Sequence, residues 1–516
     1  RRFAAEDVEA VAICFMNSFA NHAHEQAAAD IVQAELPGVF LSVSSEVLPT
    51  IRFYNRVSTT VLNSYIGPIL RDYLESLTHK LSDVGFAGVL LVMQSNGGVA
   101  LPEVAARRPA ATLLSGPAGG PEAAVAHTRA HGDDDCIVVD MGGTSFDASL
   151  VRNGEAAMYQ ESEIDRLRIA LPMLAITTIG AGGGSIGWID EGGLLRMGPQ
   201  SAGADPGPAC YGQGGEQPTC TDANVVLGYL DPGFFAGGTM PLREEEARKA
   251  ILRHVAEPFG LSVEEAAAGM YRVINTNMAH GVREITVERG LDPRDFPLVV
   301  AGGAGSLHAC MIARELEIPS LVVPATASVL CAVGMLLSDL QHDFVRSYVC
   351  RFGELDVDRL RELVAAMEEE GDAQLRMEGI DPGRVEHRID LDLRYVKQYH
   401  EVTVPVATAA VADGDLAVIA AAFHGEHDRL YGYNLAESGT ELELINVRVR
   451  AIGRTDKPEL PTLPPGSTDP SRARKGLRAA YIPETDIFAD IGVYDGHRLQ
   501  PGNVIEGPAL IERVDT

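Results

Sequence analysis

The chain has 516 residues, 46% apolar and 22% charged, a balance that builds packed domains rather than disorder and a length that calls for more than one core. Forty-two basic against 72 acidic side chains leave a formal charge of −30, which gives no general affinity for a phosphate backbone and argues against nucleic-acid binding. Seven cysteines, odd in number and without a CxxC pair, argue against a zinc ribbon or disulfide framework and for a reducing compartment such as the cytoplasm.

The chain opens Arg1-Arg2-Phe3, without a methionine and directly before a helical pattern, which suggests that an N-terminal part is missing. Residues 8–17 (VEAVAICFMN) predict a buried strand and residues 24–36 a helix. Residues 59–84 predict a long helix, with Leu62, Ile66, Leu70, Leu74, Leu77 and Leu81 at helical intervals. Another buried strand is predicted at 88–93, running into the glycine turn 94–98, and the alternation points to a layered α/β domain. Gly116-Pro117-Ala118-Gly119-Gly120 precedes a helix of small residues at 121–130, a composition that suits a hinge between lobes and equally a tight loop.

From 133 the texture changes. A strand at 136–139 leads through Asp140-Met141-Gly142-Gly143-Thr144-Ser145-Phe146-Asp147 into a strand at 148–152. Bare glycine backbone lets successive N–H groups approach an anion, and the hydroxyls of Thr144 and Ser145 add donors. Asp140 and Asp147 are placed to hold hydrated Mg²⁺. No Gly-Lys-Ser/Thr follows, so this is not a Walker loop, and an ordinary hairpin with a Gly-Gly turn fits the local pattern equally well. The nominal GxGxxG at 182–187 runs into a hairpin and not a helix, which rules out a dinucleotide fingerprint.

The glycine- and proline-rich stretch 205–227 predicts a long loop ending in a helix cap at Thr221-Asp222; Asp205, Cys210 and Tyr211 are its candidate contacts to substrate or to the opposite lobe. Without a local histidine, Cys210 reads as an inert thiol rather than a nucleophile. Residues 263–289 predict a long helix stopped by Gly290. Val299 to Ala309 (VVAGGAGSLHA) gives a strand, a turn on Gly302, Gly303 and Gly305, and a helix start where a planar or anionic ligand meets bare backbone. His308 reads as a packing or capping residue. The uncharged stretch 318–338 is punctuated by Pro319, Pro324 and Gly334, so it predicts a strand, loop and helix rather than a membrane span. The histidines at 22, 24, 342, 424 and 427 lack zinc spacing and read as structural or solvated. After about 346 the chain is more charged, with alternating strands at 388–394 and 441–452 and a proline-rich linker at 457–474.

The ordered set LLSGPAGG, DMGGTSFD, TIGAGGGSIGWID, GPQSAGADPGPACYGQGG, TDANVVLG, VERGLDPRDF and AGGAGSLHA resembles the hydantoinase A/oxoprolinase family over nearly the whole chain. The resemblance implies an α/β actin-like ATPase, with ribonuclease-H-like lobes closing over ATP, plus a mixed α/β C-terminal domain. It implies a remainder of the first lobe at 1–132, a second ATPase lobe at 133–346 and a C-terminal hydantoinase A-type domain at 347–516, with 116–120 and 327–337 linking the lobes. Gly142, Gly143, Thr144 and Ser145 match the second phosphate loop, Gly302, Gly303 and Gly305 the adenosine-side loop, and Asp140 and Asp147 the metal and catalytic positions. Family members carry a first phosphate loop that is absent here, and their pattern continues past Thr516. Ser306 stands where they usually have proline.

The implied chemistry is ATP-dependent opening of a cyclic amide such as hydantoin, N-methylhydantoin or 5-oxoproline: phosphorylation makes the carbonyl oxygen a leaving group. A B-type subunit, or a fused second half, completes hydrolysis in a hetero-oligomer. Two alternatives stand beside it: a ketone carboxylase subunit of acetone or acetophenone carboxylase type, which shares the same motifs, and a non-enzymatic, nucleotide-switched actin-like protein, which shares the lobes but not this specific motif set.

Overall fold

The computed structural model describes residues 2–164, 166–459 and 462–516. They form two compact units, one from 1–119, 158–174 and 337–457, the other from 120–157, 175–336 and 458–516. Each is assembled from separated stretches, whereas the compositional change near 346 reads as a boundary between consecutive domains. Strand pairing explains the difference. Leu340–Arg351 pairs in parallel with Val99–Ala100 and antiparallel with Leu442–Gly453, so the chain beyond 337 completes a sheet begun before 119. Asp339 fixes the start of that strand by pairing with Arg454 (2.8 Å) and Lys457 (2.6 Å).

The first unit is built on a six-stranded sheet in the order Val402–Val406, Val385–Tyr395, Leu442–Gly453, Leu340–Arg351, Val99–Ala100, Val92–Met93. Helices Val357–Met377 and Leu416–Tyr431 bury Leu360, Val364, Met367, Ile419 and Phe423 in a core shared with Leu391, Leu393, Leu444 and Val447. Each helix starts on an aspartate cap: Asp356 accepts from the N–H groups of Asp358 and Arg359, and Asp415 from that of Val418. The predicted long helix is Phe53–Asp83. The strand predicted at 8–17 is only Ala10–Ile13, paired in parallel with Phe40–Val43. It stops because the Phe15 N–H turns to the buried carboxylate of Glu25, which also takes the Ser44 hydroxyl and the Ser45 N–H. Of the strand predicted at 88–93, Val92–Met93 pairs.

In the second unit the sheet order is Ile176–Ile179, Phe146–Arg152, Cys136–Met141, Leu298–Ala301, Leu321–Val322. The last three run parallel, and all four residues of Leu298–Ala301 are buried, the continuous apolar run of a strand covered on both faces. Helix Val263–Ile285 covers the sheet, sealed at its start by a capping box between Ser262 and Glu265. Its fully buried Met270, Ile274, Met278 and Val282 each contribute about 2 kcal/mol of apolar burial. The α-helix ends four residues earlier than predicted, and a 3₁₀ turn, Val287–Arg289, carries the chain to Gly290 at φ +73°. The stretch 318–338 resolves into strand Leu321–Val322 and helix Leu330–Leu337, and among the described residues no helix is long and apolar enough to cross a membrane. Of the proline-rich stretch 457–474, Leu460 and Pro461 lie outside the described residues, and the rest has no helix or strand before the turn Ser471–Ala473. Strands Arg474–Ile482, Ile487–Asp495 and Ala509–Glu512 form a further sheet.

Candidate active site

Strands Cys136–Met141 and Phe146–Arg152 are antiparallel neighbours, and their register sets Asp140 directly opposite Asp147. The Gly142 N–H donates to the Ser145 carbonyl (3.2 Å) and closes the turn between them. Asp147 accepts from the hydroxyls of Thr178 (2.5 Å) and Ser145 (3.5 Å). Burial first, with the Asp140 charge adding to it, nevertheless holds the Asp147 carboxyl above the ordinary aspartate range. Asp140 accepts from the Cys331 thiol (3.1 Å), which burial and then the Asp140 charge push far up, so it stays an S–H donor.

The second glycine turn meets the first. Parallel pairing sets Ala301 beside Asp140, and the chain then turns through 302–305 into helix Ser306–Glu315. The Ala304 N–H donates to the Met141 carbonyl (3.1 Å). Gly302 has φ +81°, and a β-carbon there would lie 2.2 Å from the Met141 oxygen, so only glycine fits. A third turn supports both: the N–H groups of Gly183 and Gly184 donate to the carbonyls of Gly142 (3.0 Å) and Gly143 (2.7 Å). Gly142 and Gly143 differ in kind from Gly302, since a β-carbon on either meets nothing within 4 Å. The fold does not require glycine at 142 or 143; their open side faces a cavity.

That cavity, about 370 Å³, has Gly142, Gly143, Gly303 and Ala304 at one side. Tyr211, Tyr229, Leu230, Phe234 and Phe235 supply an apolar wall, with Tyr211 and Phe235 rings 5.8 Å apart. Asp140, Asp147, Thr144, Ser145, Gly302 and Gly305 belong to the strands and turns around it rather than to its lining. Sequence reasoning missed Tyr229, Phe234 and Phe235. The available signal was compositional: YLDPGFF at 229–235 places three aromatic residues in one short loop of a chain that is 6% aromatic.

Of the three candidates from the 205–215 loop, only Tyr211 reaches the cavity. Cys210 is fully buried in the core, where burial and then the Asp222 charge push its thiol far up; it is inert. Asp205 is exposed and lines no part of the cavity. The buried Asp222 carboxylate organises the loop by accepting from the N–H groups of Ala209 (3.2 Å), Cys210 (2.7 Å) and Thr219 (2.8 Å). Thr219 is therefore the cap of helix Cys220–Val226, two residues before the predicted Thr221, because Asp222 at the third helical position completes a capping box. Thr221 instead binds the Gly183 carbonyl through both its N–H and its hydroxyl, each at 2.8 Å.

His308 is fully buried. Its Nδ1–H donates to Asn275 Oδ1 (3.3 Å), which leaves Nε2 to accept from Asn224 Nδ2 (3.2 Å), and burial lowers its pKa to about 3. It is a neutral packing residue. Among the described residues no group of three or more His, Cys, Asp or Glu side chains forms a metal cage. The opposed pair Asp140 and Asp147 suits Mg²⁺, which takes one or two carboxylates and completes its shell with water and phosphate. The bare, inward-open backbone at Gly142 and Gly143 is likewise a cradle that a side chain would fill, and it fits a polyphosphate.

The profile of the hydantoinase/oxoprolinase family matches residues 56–344, and that of the hydantoinase/oxoprolinase C-terminal domain matches residues 356–516. The chain is 39% identical to the caprolactamase subunit alpha of Pseudomonas jessenii, over all of this chain and 74% of that protein. It is 33% identical to the acetophenone carboxylase gamma subunit of Aromatoleum aromaticum, over 98% of this chain and 70% of that one. The crystal structure of ATP-dependent caprolactamase from Pseudomonas jessenii superimposes with a TM-score of 0.90 at 38% identity, covering 100% of this chain and 74% of the other.

Proposed function

The chain belongs to the hydantoinase/oxoprolinase family, and from that premise we propose that it is the ATP-using subunit of an enzyme that opens a cyclic amide. The observation that carries the reading is the convergence of the 142–145 and 302–305 turns on one cavity beside a pair of opposed carboxylates. In this reading the second unit is an actin-like nucleotide lobe. The Gly143 N–H and the hydroxyls of Thr144 and Ser145 take phosphate oxygens, against the open backbone of Gly142, whose own N–H closes the turn. Gly302, Gly303 and Gly305 border the adenosine, and the wall of Tyr211, Tyr229, Phe234 and Phe235 receives the base. Asp140 and Asp147 hold hydrated Mg²⁺.

When bound, ATP supplies the phosphoryl group that turns an amide oxygen into a leaving group. The chain's own part is positional: it fixes the anion by donors already locked in place by the 180–184 turn, so little reorganisation remains to be done during reaction. The Thr178 and Ser145 hydroxyls donate to Asp147 and hold its carboxylate in place, with Asp140 as its cross-strand neighbour. The similarity of this chain to a relative named as a subunit alpha supports a multi-subunit assembly in which a B-type partner completes hydrolysis.

The test is ATP turnover by the chain with its partner subunit, offered ε-caprolactam, hydantoin, N-methylhydantoin or 5-oxoproline. Stimulation by one of these cyclic amides is the expected result. The 33% identity to a carboxylase subunit supports a second reading, ATP-dependent ketone carboxylation. Stimulation only by a ketone with bicarbonate would replace the first reading with the second; nucleotide binding with no small-molecule stimulation would reject both.

A further inference from the structure

The first unit has a cavity of its own, about 480 Å³, whose lining is charged. Its charges are not all used within the protein. Arg448 spends its Nε and an amino group on Asp392, at 2.8–3.0 Å, and Arg450 donates to Asp343 at 2.8 Å. Arg346 is held by Glu370 at 2.6 Å. Four groups remain, one of them the exposed Glu46, whose carboxylate has no ion pair among the described residues. Arg108 donates only to backbone carbonyls, those of Asp343 (3.3 Å) and Glu46 (3.0 Å). Arg107 beside it is exposed, and among the described residues no carboxylate lies within ion-pair distance of either guanidinium. Asp390 sits opposite Arg448 in the strand ladder, but Arg448 is turned to Asp392, and among the described residues no donor reaches the Asp390 carboxylate. The lining thus carries unspent guanidinium groups, with the Glu46 carboxylate near them, and at Asp390 a carboxylate that no donor among the described residues reaches.

Supporting this bipolar reading, burial and then the Arg346 charge weaken the hold of Arg108 on its proton, so an incoming anion relieves it. Burial holds the Asp390 carboxyl above the ordinary aspartate range although Arg450 and Arg448 pull it down, so its charged form is costly and a cation beside it relieves that cost. A buried charge without a partner is costly, and a ligand that brings both missing charges at once removes both costs.

We propose that this cavity binds a small zwitterion, with Arg107 and Arg108 taking its carboxylate and Asp390 its ammonium group. Adding water across the C–N bond of a cyclic amide gives one molecule with a carboxyl at one end and an amine at the other. The ring-opened amino acid therefore has the right chemistry, and only this choice of probe rests on the cyclic-amide reading.

Isothermal titration calorimetry of the full chain with 6-aminohexanoate, hexanoate and hexylammonium tests it. The zwitterion should bind at least about tenfold more tightly than either single-charge analogue, the scale of one charge-assisted hydrogen bond. Asp390→Asn should abolish the preference over hexanoate, and Arg107→Gln, at an exposed side chain that the fold does not need, should weaken binding about tenfold. Each variant is checked for unchanged nucleotide binding. No saturable binding, equal affinity for the three probes, or undiminished zwitterion binding by a folded Arg107→Gln or Asp390→Asn variant would overturn the proposal. Zwitterion binding without lactam-stimulated ATP turnover would count against the cyclic-amide reading and leave this site standing.

Discussion

Gly302 is seated directly against Asp140: a β-carbon on the glycine would fall 2.5 Å from the aspartate Oδ1. The parallel register that sets Ala301 beside Asp140 brings the second turn off its strand at the point where the first strand delivers its carboxylate. The two turns are thus one construction, and substitutions in them should separate fold from binding.

Gly302→Ala must adopt φ +81° and displace the Met141 carbonyl, so it should cost about 3 kcal/mol or more and lower the thermal midpoint of the second unit. Gly143→Ala has open space and no positive φ, so its stability should stay within about 1 kcal/mol of the parent. Its affinity for ATP should nevertheless fall, because the new methyl group stands where phosphate is expected. Thermal melts with and without nucleotide read both; a destabilised Gly143→Ala with intact ATP binding would invert the assignment.

Asp140→Asn keeps the shape of the side chain and an acceptor for the Cys331 thiol. Stability should change by less than about 1 kcal/mol while turnover falls about a hundredfold or more, the scale of losing one preorganised charge. Steady-state rates of the assembled enzyme decide, and an undiminished rate would remove Asp140 from the chemistry.

The pH behaviour of Asp147 has a definite sign. Its folded-state pKa is raised by burial and by Asp140, so the native chain holds this proton more tightly than the unfolded one. The resulting stabilisation is present in acid and is lost as pH rises through the folded pKa; at neutral pH the ionised carboxylate is a burden. Asp147→Asn should therefore be more stable than the parent at pH 7, by a margin that shrinks on acidification, even as turnover drops. Unfolding midpoints across that range would show it, and a variant less stable at pH 7 would contradict it.

His308 works in the opposite direction. With its pKa lowered to about 3 by burial from 6.5, it stays neutral when folded and takes up a proton on unfolding. Its contribution is full above about 6.5 and declines as pH falls toward 3. His308→Gln should lose stability at pH 7, because Asn224 and Asn275 lose their shared partner, and should show a shallower fall in acid. An unchanged acid slope would mean that the imidazole is not the group responsible.

Phe235→Ala removes part of the apolar wall but touches neither glycine turn. ATP affinity should fall about tenfold while inorganic triphosphate binds as before. Equal losses for both ligands would place the aromatic wall away from the base.

Much of this was legible in the chain, because turns, caps and helix stripes are written by neighbours in sequence. DMGGTSFD and AGGAGSLHA each announced a strand, a bare turn and the element beyond the turn, and the apolar stripe of Val263–Ile285 was read to within a few residues. The helix cap was misplaced by two positions, since Thr219 and Thr221 are both plausible caps locally and only the buried Asp222, reaching back to Ala209 and Cys210, selects the first.

What only the tertiary structure decided is which distant segments share a surface. A strand register fixes Gly302 on Asp140, another puts Leu340–Arg351 beside Val99–Ala100 and makes the units discontinuous, and the aromatic loop at 229–235 becomes a cavity wall. Local sequence sets what each segment can be; it does not set these partnerships. They depend on closing long loops to bury apolar strands on both faces, a gain realised only when the whole sheet forms.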